Sequence, residues 1–319
     1  MVRRILAPIA ASLLLYGLLF AAVLDRPLSL GMFRALIEAK LARGARLEGP
    51  KLVIIAGSNG PYSHRCETIE PILGRPCVNA GIAVGIGLDY LFARWRPLLG
   101  PGDIVYLPLE QAQYSISAAT NALGPDAAIM LRHDRATLWT LPLTRWAGAA
   151  FAAGPRAALM SLIEMSLAAS GFADPRAAYT GEVNAWGDHI GHTRDKAAAV
   201  SAIAAPEHET AARIAAGHGT VIVKDFLLWA RARDIRVIGG LPAGFAGHPI
   251  PEDTHDAICA IYAAGSAGFL DLGDALPASA FFDTADHLNE PAQIARSRVL
   301  AEALAARAVS DRVGSRNPL

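Results

Sequence analysis

Two distant stretches of this sequence carry residues suited to nucleophilic chemistry. The first is Lys51-Leu-Val-Ile-Ile-Ala-Gly57, followed by Ser58-Asn-Gly60. Its Val, Ile and Leu residues, closed by glycine, predict a buried parallel strand over residues 51–56 that ends in a sharp turn. Ligands of open α/β sheets sit at the carboxyl ends of strands, which puts Ser58 where chemistry is usually done. A plain β-to-α turn with a helix-capping serine is the alternative. A serine nucleophile needs a base, a group that orients the base, and donors for the oxyanion. The base should come from another strand end of the same sheet. Of the 9 histidines, His287 fits best: it lies in Phe281-Phe-Asp-Thr-Ala-Asp-His-Leu-Asn289, between the last expected strand and the final helix. That segment is a loop by composition, with two apolar anchors and two acids beside the histidine.

The elements that must position these residues follow from the apolar pattern. A second strand is expected at Pro76 to Asn79, running into Ala80-Gly81. Leu88, Leu91, Phe92 and Trp95 have helical spacing, so a helix is expected from Leu88 to Leu99, stopped by Gly100-Pro-Gly102. Asp103 to Pro108 reads as the third strand, Ile235 to Gly239 as the fourth and Phe269 to Leu272 as the fifth. Strands alternating with helices predict a parallel sheet with right-handed crossovers. Val221 to Arg233 has one apolar face. Asn289 is a good N-cap for a last helix from Pro291 to about Arg307. From Ser115 to Ala205 the strand rhythm is lost, and the alanine-rich stretch, helical especially over Arg156 to Leu167, reads as an insertion shaping the substrate side.

Composition narrows the function classes. Hydrophobic residues are 53% and charged ones 18%, which excludes disorder. Lys plus Arg (29) equals Asp plus Glu (29), so no overall field favours nucleic acid. Arg3 and Arg4 precede Ile5 to Leu24, a run without charge that Asp25-Arg26 end. The run is long enough to cross a bilayer as a helix, and basic residues before it place the N-terminus in the cytoplasm. A cleaved signal peptide is the competitor, although Ala21-Ala22-Val23 offers a poor cleavage site. Either way the remainder lies outside the inner membrane, with the uncleaved single-pass anchor leaving a periplasmic domain. In that oxidising compartment Cys66 and Cys77 can bridge; three buried free thiols, with Cys259, are the other arrangement. The expected organisation is an anchor over residues 1–28, a linker helix over 29–50, a catalytic domain over 51–310 with the insertion 115–205, and a tail over 311–319.

Together, Gly57-Ser58-Asn59 after the first strand, Asn79-Ala-Gly81 after the second and an acid–histidine pair before the last helix resemble the SGNH (GDSL-like) hydrolase superfamily, over roughly residues 51–110 and 235–307. The resemblance is closest to membrane-anchored relatives that edit acyl groups on envelope or secreted polysaccharides. It implies a flavodoxin-like three-layer αβα fold, Ser58 as nucleophile, His287 as base, and the amides of Ser58 and Gly81 as oxyanion donors. There are three departures. Gly57 stands where that family has an acid. Thr284 stands three residues before His287, where the orienting Asp is expected, so Asp283, one residue further back, takes that role, with a Ser58–His287 dyad as fallback. Leu107-Pro-Leu-Glu110 replaces the Gly-x-Asn-Asp block, leaving the third oxyanion donor unassigned; Asn184 is one source, and Glu110 either orders the site or caps a strand end.

The expected function is therefore that of a serine-dependent ester hydrolase or O-acetyltransferase. It would act on an envelope or exported polysaccharide through an acyl-Ser58 intermediate, without cofactor or metal. Its partners would be the inner membrane and a membrane acyltransferase or polysaccharide synthase. A catalytically inactive glycan-binding or scaffold domain of a secretion complex is the alternative. An α/β-hydrolase elbow at Ala56-Gly-Ser-Asn-Gly60 is disfavoured because no strands precede it. His189-Ile-Gly-His192 lacks a third metal ligand nearby and sits in the wrong context for nucleotide activation. Gly85-Ile-Gly87 is not a dinucleotide fingerprint.

Overall fold

The computed structural model describes residues 2–23, 28–151, 182–200, 203–273 and 275–314, with scattered positions between 159 and 171. The chain forms two compact units: Met1–Leu36 with Ala119–Asp174, and Ile37–Ala118 with Pro175–Leu319. The stretch from Ser115 to Ala205, read above as one insertion, is thus shared between them.

The second unit holds the sheet. Five strands, β1 (Leu52–Ile54), β2 (Cys77–Asn79), β3 (Ile104–Leu107), β4 (Arg236–Gly240) and β5 (Gly268–Leu270), pair in the order β2-β1-β3-β4-β5. Every pairing is parallel, with Ile54 opposite both Asn79 and Tyr106 and Leu107 opposite Gly239. This is a doubly wound order, with β1 and β3 at the switch point where ligand crevices form. The strands are shorter than their apolar runs. Ile55 nevertheless keeps the extended path, its N–H donating to Tyr106 O at 3.0 Å, so the chain reaches Gly57 from inside the sheet.

Both faces of the sheet are covered, which is why the strands are apolar throughout. On one face Leu52, Ile54, Ile104, Tyr106 and Ile238 pack with Cys66 and Ile69, and with Leu300 and Leu304. On the other, the alternate residues Val53, Val105 and Val237 are buried, and Phe92 stacks on Phe226 at 4.0 Å. In chain order after α1 (Val2–Val23) and α2 (Leu28–Arg46), the helices of this unit include α3 (Asn59–Ser63), α4 (Cys66–Leu73), α5 (Leu88–Trp95), α6 (Gln111–Ser115), α7 (Ala211–Ala216), α8 (His218–Arg231), α9 (Glu252–Ala264) and α10 (Glu290–Gly314). Helix α5 stops at Trp95 and Arg96–Leu98 continue as a 3₁₀ turn, because Pro97 cannot extend the α-helical ladder. At the amino end of the sheet the buried Asp103 accepts Lys51 Nζ at 2.9 Å and Lys51 N at 2.8 Å, tying β1 to β3.

Cys66 and Cys77 are joined in a disulfide across a sequence separation of 11. It links the start of α4 to β2, directly behind the Ser58 turn. Closing a loop of that length restricts the unfolded chain by about 3 kcal/mol. Reduction, or Cys66→Ala with Cys77→Ala, should lower the unfolding free energy by roughly 2–3 kcal/mol in a denaturant titration. A change below about 0.5 kcal/mol would show that the bridge constrains nothing.

In the first unit, helices over Pro125–His133 and Leu143–Phe151 pack around the buried Arg145, which donates to Asp126 and to Asn121 O. Tyr16 of α1 meets Phe151, and Ala21 O accepts from Arg132. Elsewhere α1 leaves Ile5, Ile9, Leu13, Leu14 and Leu18 exposed. Counting only the described residues, no helix is long and apolar enough to cross a membrane. Leu24 and the charged pair Asp25-Arg26 that end the expected membrane run lie outside the described residues, as does half of the helix expected over Arg156 to Leu167.

Candidate active site

The chain leaves β1 through Ala56-Gly57 and turns at Ser58 into α3. Ser58 stands at the N-cap position with helical φ and ψ of −66° and −23°, and its side chain makes no capping hydrogen bond. The hydroxyl is therefore not consumed by a capping bond to the helix. Its residue is half-buried, unlike the buried Gly57 and Asn59 on either side. Asn59 locks the turn to the end of β3: its Nδ2 donates to Pro108 O at 2.7 Å, and its N–H points at Glu110 Oε1 at 3.5 Å.

The second turn packs directly on the first. Asn79, at the end of β2, donates to Gly60 O at 3.0 Å and to His64 O at 2.9 Å, while its Oδ1 accepts from Gly81 N at 3.3 Å. That last bond is stretched, so the Gly81 N–H is available to a stronger, charged acceptor. A Cβ on Gly81 would lie 2.8 Å from Gly57 O and 2.9 Å from Gly60 Cα. Both are backbone atoms and cannot swing away. Gly81→Ala should therefore cost about 1–3 kcal/mol of stability and push the two turns apart. The check is a melting curve together with the rate of Ser58 modification; a variant as stable and as reactive as the parent would contradict this contact.

The histidine loop closes on itself before α10. Phe281 bridges Leu288, Phe282 N donates to His287 O at 2.7 Å, and Asn289 N donates to Ala280 O at 2.8 Å. This fold-back brings Asp283 under His287, whose Nδ1 lies 2.6 Å from Asp283 Oδ1. With its proton on Nδ1 facing the carboxylate, the ring presents Nε2 as the acceptor nitrogen, the tautomer a general base requires. The spacing of four residues works here because the segment is a folded loop rather than a strand.

Helix α3 joins the two loops. Tyr62, one turn after Ser58, stacks against His287 at 4.2 Å between ring centroids. Ser63 Oγ donates to Asp286 O at 3.0 Å and accepts from Leu288 N at 3.4 Å. The structure thus packs the Ser58 turn against Asn79 and Gly81, and packs the loop that carries Asp283 and His287 against α3, the helix that Ser58 begins. Among the described residues no hydrogen bond joins Ser58 to His287. Such bonds are often long before substrate binds.

Several contributors were not readable in the sequence. Lys40 of α2 is buried and donates to Gly81 O at 2.5 Å and Gly187 O at 2.9 Å, fixing the second turn from behind; burial pulls its ammonium down to about 7, against the charge of Asp188. His189 stacks against Tyr62 at 4.1 Å, and His192 meets the same ring edge-on at 5.1 Å. Burial pushes His189 down to about 3 and His192 down to about 4, so both are neutral at pH 7 and add no charge beside His287. Among the described residues no group of three or more His, Cys, Asp or Glu could hold a metal ion. Asn184 is engaged in its own turn, accepting from Trp186 N and Asp188 N at 3.0 Å and donating to Asp188 at 3.2 Å.

Glu110 lies at the end of β3, as the N-cap of α6. Gly57 has no Cβ because Glu110 Oε1 occupies that space: an added methyl would fall 2.5 Å from it. Burial, and then the negative charge of Asp286, push the Glu110 carboxyl up to about 7, opposed by His287 and the Asn59 N–H. Asp286, whose side chain does not serve His287 as an orienting acid, is itself raised by burial. Both acids face a cavity of about 170 Å³ that Phe245, His208 and His248 also line. No family model matches the chain, and no curated protein does.

Proposed function

We propose that the chain is a serine-dependent acyl-ester hydrolase or O-acetyltransferase of the SGNH type, acting on an envelope or exported polysaccharide. The observation that carries this reading is the convergence of the Ser58 turn and the His287 loop on α3, with His287 held by Asp283 at 2.6 Å. In the reaction, His287 Nε2 takes the Ser58 proton as Oγ attacks the acyl carbonyl. The oxyanion is received by the amides of Ser58 and Gly81. Collapse expels the sugar oxygen, protonated by His287, and leaves acyl-Ser58. Water then completes hydrolysis; a sugar hydroxyl completes transfer. Both outcomes use the same groups.

The chain is anchored in the inner membrane through α1, with the sheet-bearing unit in the periplasm. The exposed Ile and Leu side chains of α1 support the anchor, and the Cys66–Cys77 bridge supports an oxidising compartment. A membrane acyltransferase or a polysaccharide synthase would be its partner there.

One observation favours a second reading, a catalytically inactive glycan-binding or scaffold protein: the Ser58 hydroxyl is not hydrogen-bonded to His287 among the described residues. The two part cleanly on treatment with a fluorophosphonate, followed by mass-spectrometric mapping of the adduct. The enzyme reading expects one phosphonyl group, on the peptide containing Ser58. A protein that stays unmodified is the scaffold.

A further inference from the structure

We propose that Glu110, carried as the neutral carboxylic acid, is the third donor to the oxyanion formed on the acyl group at Ser58. This rests on the enzyme reading above and assigns the position left open after β3. The placement is the first argument. Glu110 follows β3, the strand paired beside β1, and its Oε1 sits against Gly57, whose carbonyl carbon bears the Ser58 N–H. The carboxyl is thus next to one of the two amides that receive the oxyanion. A side chain at position 57 would have to displace it.

Charge is the second argument. An ionised carboxylate beside a developing oxyanion would repel it, and in a partly desolvated site that repulsion is large. A neutral acid in the same place donates a hydrogen bond, as a carboxylic acid kept protonated in an apolar site can. The surroundings favour the neutral form. Asp286 faces Glu110 from the histidine loop, and Glu207 and Glu209 line the cavity across from it, with His208, His248 and His287 as the opposing basic groups. Lys and Arg are absent from that lining. The carboxyl is accordingly displaced up to about 7, first by burial. The donation moves no electrons and breaks no bond; the proton stays on Glu110 throughout.

The rival role is structural, since Glu110 forms a capping box at the start of α6: its side chain accepts from Gln113 N, and its own N–H donates to Gln113 Oε1 at 3.1 Å. Glu110→Gln separates the two. A glutamine amide is a permanent neutral donor, whereas an alanine is none. Fluorophosphonate labelling rates are measured from pH 5.5 to 9 for the parent, Glu110→Gln and Glu110→Ala. The parent rate should fall above about pH 7 as Glu110 ionises. Glu110→Gln should lack that fall and exceed the parent by about 30-fold at pH 8.5, the ratio expected for a group titrating at about 7. Glu110→Ala should be slower by about 10²–10³ at pH 6. Infrared difference spectra supply a readout that needs no activity: a protonated carboxyl band, absent in Glu110→Gln, should titrate near pH 7.

A carboxyl band lost below pH 5, or a Glu110→Gln variant as slow as Glu110→Ala at every pH, overturns the proposal. Labelling at Ser58 with either of those results leaves the enzyme reading standing and removes only Glu110 from it. A parent protein whose Ser58 takes no label removes both. Stability follows the same titration. Because the folded carboxyl is raised above its ordinary value of 4.5, its contribution is full below that pH and is lost as pH rises through about 7. The melting temperature of Glu110→Gln should therefore gain on the parent between pH 5 and 8; a purely structural cap would move both curves in parallel.

Discussion

Ser58→Ala should leave no measurable turnover of an activated ester, a fall of at least about 10⁴ in kcat/KM, with the melting temperature within about 2 °C of the parent. The two halves of that expectation have separate causes. The hydroxyl makes no capping bond to α3 and its residue is half-buried, so the fold does not depend on it. Catalysis does, because without Oγ no acyl intermediate can form, and only the oxyanion donors and substrate binding remain. The measurement is steady-state hydrolysis of p-nitrophenyl acetate alongside a thermal melt. Retained hydrolysis would place the nucleophile elsewhere; lost hydrolysis with a collapsed melt would say that Ser58 is structural after all.

Asp283→Asn should reduce the same kcat/KM by about 10³–10⁴ at neutral pH. The carboxylate oxygen 2.6 Å from His287 Nδ1 fixes the ring so that Nε2 is the acceptor. An asparagine amide can donate to Nδ1 and so favour the opposite tautomer, with the proton on Nε2, where it blocks transfer from Ser58. His287→Ala should cost a similar amount. The double variant should be no slower than the worse single one, since residues acting as a unit lose their effect together. Additive losses would mean that Asp283 and His287 act separately. A loss below about tenfold for Asp283→Asn would leave a Ser58–His287 dyad as the working arrangement.

The parts of the fold that were legible are those whose burial is dictated by their own composition. β1, β3 and β4 are covered on both faces, so their apolar runs announce them, and Gly57 and Gly81 mark where the chain turns out of the sheet. Asn289 was readable as a cap, its Oδ1 accepting from Ala292 N at 3.3 Å. Asp283 could be named as the acid that orients His287 from the resemblance, but not from the path of the loop, since residues four apart in an extended segment do not meet. Only the fold-back that pairs Phe281 with Leu288 closes that gap.

What stayed hidden depends on partners far along the chain. Lys40 looks like any solvated lysine of a helix, and it is the close approach of Gly81 and Gly187 that buries it. His189 and His192 were left without a role, and it is Tyr62 that takes up one ring face-on and the other edge-on. Glu110 owes its displaced titration first to burial and then to Asp286, on a loop near the other end of the chain. Helix α9 was missed for a different reason. Pro251 followed by Glu252 and Asp253 is a readable start signal, but the weakly amphipathic run after it resembles a loop between two strands. The division of the chain into two units had no marker in composition, because alanine-rich helical sequence occurs in both.

The most direct test is a crystal structure of the protein after reaction with a phosphonate that mimics the tetrahedral intermediate. The account predicts phosphorus bonded to Ser58 Oγ, its free oxygen about 2.7–3.1 Å from the amides of Ser58 and Gly81, and His287 Nε2 turned toward Oγ with Nδ1 still on Asp283. A phosphonate seated on another side chain, or a His287 ring directed away from the adduct, would contradict it.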